Sequence, residues 1–212
     1  MVISPTAVLT EAHFKEAVAV ATSYLKNLNF NLHYHCQEHT LRYVLPAAVA
    51  IAAGERFSAE ETYIVEIAAV FHDTGFCEQY NANEAVGVRY AEEYMKSSAL
   101  PYTEEQIALV RETILNTNRE IPPPSKYAEV LRDADVAILG DVDFFTWNKA
   151  LREESQIHPE SQLHSSSVDD ARWTELQLHF FSSVDWFTVT ARKLYQPGKE
   201  KNFARLQKIS TP

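Results

Sequence analysis

One stretch of the chain, residues 61–77, constrains the fold most strongly. It reads ETYIVEIAAVFHDTGFC, and Ile64, Ile67 and Phe71 recur in it at helical spacing. This spacing predicts a helix that buries one face in a core. Gly75 follows the apolar run and predicts that the helix ends there with a residue in the left-handed conformation.

The rest of the chain also favours helices over strands. It contains only five glycines, and no strand-like alternation of useful length is present. Capping boxes at Ser58–Glu61 and Thr103–Gln106 predict two helix starts, and Pro46 either kinks the second helix, which begins near His39, or marks a later start. Further helices are expected over residues 10–26, 84–96, 143–154, 168–181, 184–194 and 199–208, and a rigid linker over residues 121–124.

Size and charge limit the function classes. A chain of 212 residues with 46% hydrophobic and 23% charged residues is typical of one soluble globular domain. The net charge of −10 argues against nucleic acid as a partner, whereas a small anionic substrate is compatible with it if a metal supplies positive charge. The first residues do not resemble a signal peptide, and the longest apolar run is too short to span a bilayer. We therefore expect a cytoplasmic protein with no membrane partner.

Candidate metal ligands occur at the end of the predicted helix and further along the chain. His72-Asp73 offers an imidazole and a carboxylate, a mixed set that suits a divalent cation, although such a pair can also simply hydrogen-bond. Asp135 shares a helical stripe with leucines, whereas Asp133 lies off that stripe. Because a carboxylate on a core face must be paired or bound to a cation, the pattern favours Asp135.

Three segments together resemble a known family. They are YHCQEHT at residues 34–40, AAVFHDTGF at residues 68–76 and LRDADVAILG at residues 131–140. In this order they resemble the H…HD…D signature of the HD-domain superfamily of metal-dependent phosphohydrolases. The segment DFFTWNKALREE at residues 143–154 is similar to one branch of predicted bacterial HD phosphohydrolases.

The resemblance implies a fold and a domain organisation. The expected fold is all-α, an HD-domain helical bundle with additional C-terminal helices. Residues 1–212 would form a single domain, with a motif-bearing core over about residues 30–155 and a helical extension over about residues 156–212.

The resemblance also implies a metal centre. Its ligands would be His39, His72, Asp73 and Asp135, and the sequence does not choose among Mn²⁺, Fe²⁺, Co²⁺, Ni²⁺ and Mg²⁺. A closed structural zinc site is disfavoured, because such sites are rich in cysteine and histidine. Two-metal members of the family carry further histidines where this chain has Asn83-Glu84, so we expect one divalent ion.

Catalytic and phosphate-binding candidates surround these motifs. The resemblance implies a catalytic role for Asp73 and the position of a leaving-group acid for His35, which could instead only hydrogen-bond. Glu84 in the first turn of a helix could orient water or act as an acid or base, or be an ordinary first-turn glutamate. The cations available to contact a phosphate are Arg42, Lys126, Arg132 and Arg119.

Three functions are compatible with these features. The first is hydrolysis of a small phosphate ester, with a nucleotide as one candidate substrate, by a metal-activated water. The second is a noncatalytic HD module that binds a metal or a nucleotide. The third, suggested by His35, is a cyclic-nucleotide phosphodiesterase. The sequence leaves the oligomeric state open, a homodimer included.

Overall fold

The chain is folded almost entirely into helices. A computed structural model describes residues 8–119 and 122–210, and this part of the chain contains ten α-helices and no strand. The prediction of an all-α fold is confirmed. The expectations for the first seven residues and for Ile121 in the proline linker lie outside the described residues.

The helices follow one another through short loops and three irregular turns. A π-helical segment, His39–Val44, and two 3₁₀ turns, Thr74–Cys77 and Ala137–Gly140, interrupt the order. The α-helices are α1 Glu11–Leu25, α2 Leu45–Gly54, α3 Ala59–Phe71, α4 Asn83–Ser97, α5 Glu104–Leu115, α6 Lys126–Asp135, α7 Phe144–Ile157, α8 His164–Ser167, α9 Asp170–Ser183 and α10 Val189–Ser210.

Helix α3 lies at the centre of the core. It packs against α1, α2, α4, α5 and α6, and every residue from Ile64 to Phe71 is buried. The sequence predicted one buried face, and the structure buries the last two turns on all sides because helices surround them. The C-terminal end of α3, which carries His72 and Asp73, therefore lies inside the bundle rather than at its surface.

The predicted capping boxes form at the starts of α3 and α5. The Ser58 hydroxyl accepts from the Glu61 N–H at 3.3 Å, and the Glu61 carboxylate accepts from the Ser58 N–H at 2.7 Å. Thr103 and Gln106 make the same reciprocal pair. These bonds satisfy backbone donors that a helix start otherwise leaves unpaired, and they explain why both starts could be predicted.

One glycine signal was misread from the sequence, and one proline signal was resolved. None of the glycines has a positive φ, so the left-handed helix end predicted at Gly75 is wrong. Glycine is needed there for close packing instead, because a Cβ at Gly75 would lie 1.9 Å from the backbone oxygen of Asn83. Pro46 does mark a later start: α2 begins at Leu45, directly after the π-helical segment.

The two helices predicted over residues 184–194 and 199–208 are one helix, α10, with Pro197 inside it. The expected break does not occur, because the middle of α10, around Pro197, packs against the 3₁₀ turn at residues 137–140. Gly198 lies so close to Gly140 that a Cβ would be 1.9 Å from the Gly140 oxygen, and the Asn202 amide donates to the Leu139 oxygen at 3.0 Å. Tertiary contacts therefore override the local signal.

Candidate metal centre

Two histidines and an aspartate from separate elements meet inside the bundle. His39 is the first residue of the π-helical segment, and His72 and Asp73 directly follow α3. The three side chains are buried, and each offers one ligand atom within 4.8 Å of the other two. His72 Nε2 lies 3.1 Å and His39 Nε2 lies 3.8 Å from Asp73 Oδ2. This arrangement is a candidate metal-binding cluster.

Asp135, the last residue of α6, completes the set of predicted ligands. Its Oδ1 atom lies 3.4 Å from His39 Nε2 and 3.6 Å from His72 Nε2. Its side chain is 25% exposed, whereas those of the two histidines are nearly inaccessible. Asp135 also lines a cavity, so the cluster can be reached from that side. The structure thus brings together the side chains of all four predicted metal ligands.

Several buried atoms of the cluster have no hydrogen-bond partner. His72 Nδ1–H donates to the Ala69 oxygen at 2.7 Å, which places the lone pair of the neutral ring on Nε2. Neither His72 Nε2 nor Asp73 Oδ2 makes a hydrogen bond of acceptable geometry, although they face each other at 3.1 Å. His39 Nδ1 is also unsatisfied. A lone pair and a carboxylate oxygen repel at this distance, and a cation bound by both would satisfy them.

The electrostatics of the cluster favour a positive charge. Burial alone would lower the pKa of His72, but the carboxylates of Asp73 and Asp135 raise it well above its usual value. Burial alone would raise the pKa of Asp73 and Asp135, but the neighbouring imidazoles hold both below the ordinary range. A divalent cation supplies the same compensation as these protons and suits the two-nitrogen, two-oxygen donor set.

The helical-stripe argument for Asp135 over Asp133 is wrong about burial. Asp133 is 1% exposed and is therefore the more deeply buried of the two. Its carboxylate accepts hydrogen bonds from the backbone N–H groups of Phe187 and Thr188 and from the Thr188 hydroxyl. The stripe failed because Phe187 and Thr188, 54 and 55 residues later in the chain and just before α10, bond to the face of α6 that carries Asp133.

His35 is held by a glutamate to which the sequence analysis assigned no role. Its Nδ1–H donates to Glu154, which is fully buried and also accepts from the backbone N–H groups of Tyr34 and His35 and from the Tyr80 hydroxyl. Burial raises the pKa of Glu154, but His35 and the hydrogen bonds lower it to about 2. Burial lowers and Glu154 raises the pKa of His35, which is raised on balance. The only sequence feature that could have indicated this role is that Glu154 is the last residue of the segment 143–154, which resembles one branch of the family.

Glu84 lies in the first turn of α4 and is half-buried. Its pKa is raised, first by burial and then by the negative charges of Asp73 and Asp135. Glu84 therefore lies close enough to the cluster to interact with its carboxylates.

Three of the four cations considered for phosphate contact, Arg42, Lys126 and Arg132, do not line the cavity beside Asp135. Arg42 pairs with Glu38 one turn earlier and is 74% exposed, and Lys126 pairs with Glu61 and lies over the Phe57 ring. Arg132 is buried and donates to the Arg119 oxygen. The cation at the cavity is Arg119, which follows α5. Its guanidinium group lies 5.3 Å from the centre of the Phe180 ring, and burial lowers its pKa while Asp135 raises it.

Two concave regions differ in size and content. The larger, of about 630 Å³, lies between α3 and α5 and contains none of the candidate site residues. The smaller, of about 200 Å³, contains His35, Arg119 and Asp135. We place the candidate site in the smaller one because Asp135 of the cluster lines it together with the titratable side chains of His35 and Arg119.

Comparison with known proteins identifies no relative of this chain. The chain matches no protein-family model, no curated protein and no solved structure. In the described part of the chain, no helix is long and apolar enough to cross a membrane.

Proposed function

We propose that this protein is a metal-dependent phosphohydrolase of the HD-domain type that hydrolyses a small phosphate ester. One observation carries the proposal: His72 Nε2 and Asp73 Oδ2 are buried, face each other and lack hydrogen bonds, with His39 and Asp135 beside them. The motifs at residues 34–40, 68–76 and 131–140, which resemble those of HD phosphohydrolases, support the reaction class.

The four side chains would hold one divalent cation, with Mn²⁺, Fe²⁺, Co²⁺, Ni²⁺ and Mg²⁺ as candidates. When bound, it would supply the Lewis acidity that makes water nucleophilic and neutralises charge on a phosphoryl group. In the reaction, a water oxygen forms a bond to phosphorus while the bond between phosphorus and the leaving oxygen breaks. The leaving oxygen takes up a proton, and the products are an alcohol and inorganic phosphate.

His35 is the proposed donor of that proton. Its Nδ1–H is occupied by Glu154, so Nε2 is the ring nitrogen left for the substrate, and His35 lines the cavity together with Asp135. The carboxylate of Glu154 favours the protonated ring, which is the form that a leaving-group acid needs. A cyclic-nucleotide phosphodiesterase would use the same acid, and cleavage of a cyclic diester would favour that alternative.

Glu84 and Arg119 complete the proposed site. The raised pKa of Glu84 makes it a proton acceptor poised closer to neutral pH than an ordinary glutamate. Arg119 is the cation that lines the cavity and can neutralise charge on a phosphoryl oxygen. Of the four cations first considered for phosphate contact, Arg42, Lys126, Arg132 and Arg119, this proposal keeps only Arg119.

A screen of phosphate mono- and diesters with added Mn²⁺, Co²⁺, Ni²⁺ and Mg²⁺ tests the proposal. We expect turnover that requires the metal and is lost in Asp135→Ala, whereas Asp143→Ala, at an exposed aspartate of the same region, keeps it. Metal-dependent stabilisation without turnover of any ester would favour the noncatalytic binding module instead. Full activity of Asp135→Ala would contradict the proposal.

A further inference from the structure

The cavity beside the cluster has apolar walls. On the α7 side it is lined by Phe144, Trp147 and Leu151, and the 3₁₀ turn contributes Leu139. On the opposite side Phe180 of α9 closes it. The Trp147 side chain already hydrogen-bonds to Tyr43. These groups therefore offer a substrate a large area of apolar, mostly aromatic surface rather than hydrogen bonds to a sugar hydroxyl.

Polar groups are few in the described lining of this cavity, and they divide into two sets. One set is the ionisable side chains His35, Arg119 and Asp135. The other polar groups include two buried amides, Asn148 and Gln177. The Asn148 oxygen accepts from the indole N–H of Trp173 at 2.7 Å, which leaves the amide N–H₂ group as its donor.

The size of the cavity limits what can enter. Its volume of about 200 Å³ corresponds to roughly seven water molecules. Sites for drug-sized ligands usually begin at about 300 Å³. A benzene ring or a short alkyl chain is of the right size, and a nucleoside is too large to enter completely.

Resting on the proposed function, we infer that this cavity is the subsite for the organic group of the substrate. The group is small, uncharged and largely apolar, as in an aryl or short alkyl phosphate, with one hydrogen-bonding function at most for the amides. A nucleotide would instead have to extend past Arg119 and Phe180 into an outer groove that these two residues also border. The inference therefore selects against nucleotides as substrates.

A binding experiment tests the inference without requiring turnover. Calorimetry on the Mn²⁺-loaded protein would compare phenylphosphonate with methylphosphonate, which present the same anion and differ in the apolar group. We expect phenylphosphonate to bind about tenfold more tightly or better, because the ring leaves water for an apolar cavity. Equal affinities, or no binding of either compound, would overturn the inference.

Two matched variants locate the effect. Leu163 is half-buried and lines the cavity, so Leu163→Trp should fill it and reduce the preference for phenylphosphonate to about twofold or less. Leu109 lines the larger groove instead, and Leu109→Trp should keep the preference. Methylphosphonate binding should be unchanged in both variants and shows that they are folded and loaded. A preference that survives Leu163→Trp would overturn the assignment of this cavity.

Turnover then separates this inference from the proposed function. With phenyl phosphate, glycerol phosphate and a nucleoside monophosphate as substrates, we expect kcat/KM to be about tenfold higher for the aryl ester. Tight phenylphosphonate binding with no hydrolysis of any ester would contradict the proposed function and support the subsite. Efficient nucleotide hydrolysis with equal phosphonate affinities would support the proposed function and overturn the subsite.

Discussion

Helix α6 carries two aspartates, two residues apart, that lie in contrasting regions. Asp133, at the junction with α10, accepts three hydrogen bonds from Phe187 and Thr188. Asp135, at the metal cluster, faces the Nε2 atoms of His39 and His72 and is partly open to a cavity. The pKa of Asp133 is raised, mainly by burial, whereas that of Asp135 is lowered by the imidazoles despite burial.

The difference separates a structural carboxylate from a functional one. Protein N–H and O–H groups satisfy Asp133, so it needs no ligand, and its role is to hold the segment just before α10 against α6. The neighbours of Asp135 are imidazole nitrogens, and one of them, His72 Nε2, carries a lone pair when its ring is neutral because Nδ1–H is bonded to Ala69, so a proton or a cation must complete the site. Burial alone did not distinguish the two residues; the kind of partner did.

The largest effect should come from Asp135→Ala. We expect the affinity for Mn²⁺ to fall at least about 100-fold, because a direct ligand is lost and even indirect supports of metal sites matter by 10–100-fold. Stability of the metal-free protein should change little, since removing a carboxylate also relieves burial of charge. Calorimetric titration and thermal melting measure the two quantities. Unchanged Mn²⁺ affinity would show that Asp135 is not a ligand.

Asp133→Ala should produce the opposite pattern. Loss of the carboxylate leaves buried N–H donors of Phe187 and Thr188 unpaired, which should cost about 2–4 kcal/mol in the free energy of unfolding. Denaturant unfolding measures this cost. The Mn²⁺ affinity of the folded fraction should stay within about twofold, and a metal affinity that falls as in Asp135→Ala would remove the contrast between the two residues.

The pair of His35 and Glu154 predicts a pH dependence. The raised pKa of His35 favours folding below its unfolded value near 6.5, and this contribution is lost as pH rises through the folded pKa. The lowered pKa of Glu154 favours folding above 4.5 and is lost as pH falls towards 2. The pair should therefore stabilise most between about pH 4.5 and 6.5.

The variant Glu154→Gln tests this pair directly. A neutral amide no longer supports the imidazolium, so the pKa of His35 should fall by about one unit or more, and the alkaline limb of the rate profile should move with it. NMR titration of His35 measures the shift. Glu153→Gln, at the exposed neighbour, is the control and should leave the titration unchanged. An unshifted His35 titration in Glu154→Gln would contradict the pairing.

The smallest effect concerns the phosphate contact. Arg119→Ala should weaken inhibition by inorganic phosphate about tenfold, because Arg119 lines the cavity. Lys126→Ala should have no effect, because Lys126 is paired with Glu61 outside that cavity. A larger effect of Lys126→Ala than of Arg119→Ala would show that Lys126, and not Arg119, contacts the phosphate.

The sequence predicted features that depend on local chemistry. The helical class, the capping boxes and the four candidate ligands follow from periodicity, hydrogen-bonding side chains and motif order, and the structure brings these ligands together. The sequence could not predict which residues distant in the chain become partners. Glu154 binds His35 from 119 positions away, and Phe187 and Thr188 satisfy Asp133 from more than 50 positions away. The sequence offered Arg119 among four cations but could not select it, because its place at the cavity depends on the fold. Gly75 and Pro197 were misread for the same reason, since packing decides their conformations.

The most direct test is anomalous diffraction from crystals soaked in Mn²⁺, recorded at the manganese edge. We predict one strong peak per chain, at coordination distance from His39 Nε2, His72 Nε2 and the carboxylates of Asp73 and Asp135. A well-ordered cluster without a peak, or a peak that leaves out Asp135, would contradict the claim that these four side chains form one metal site.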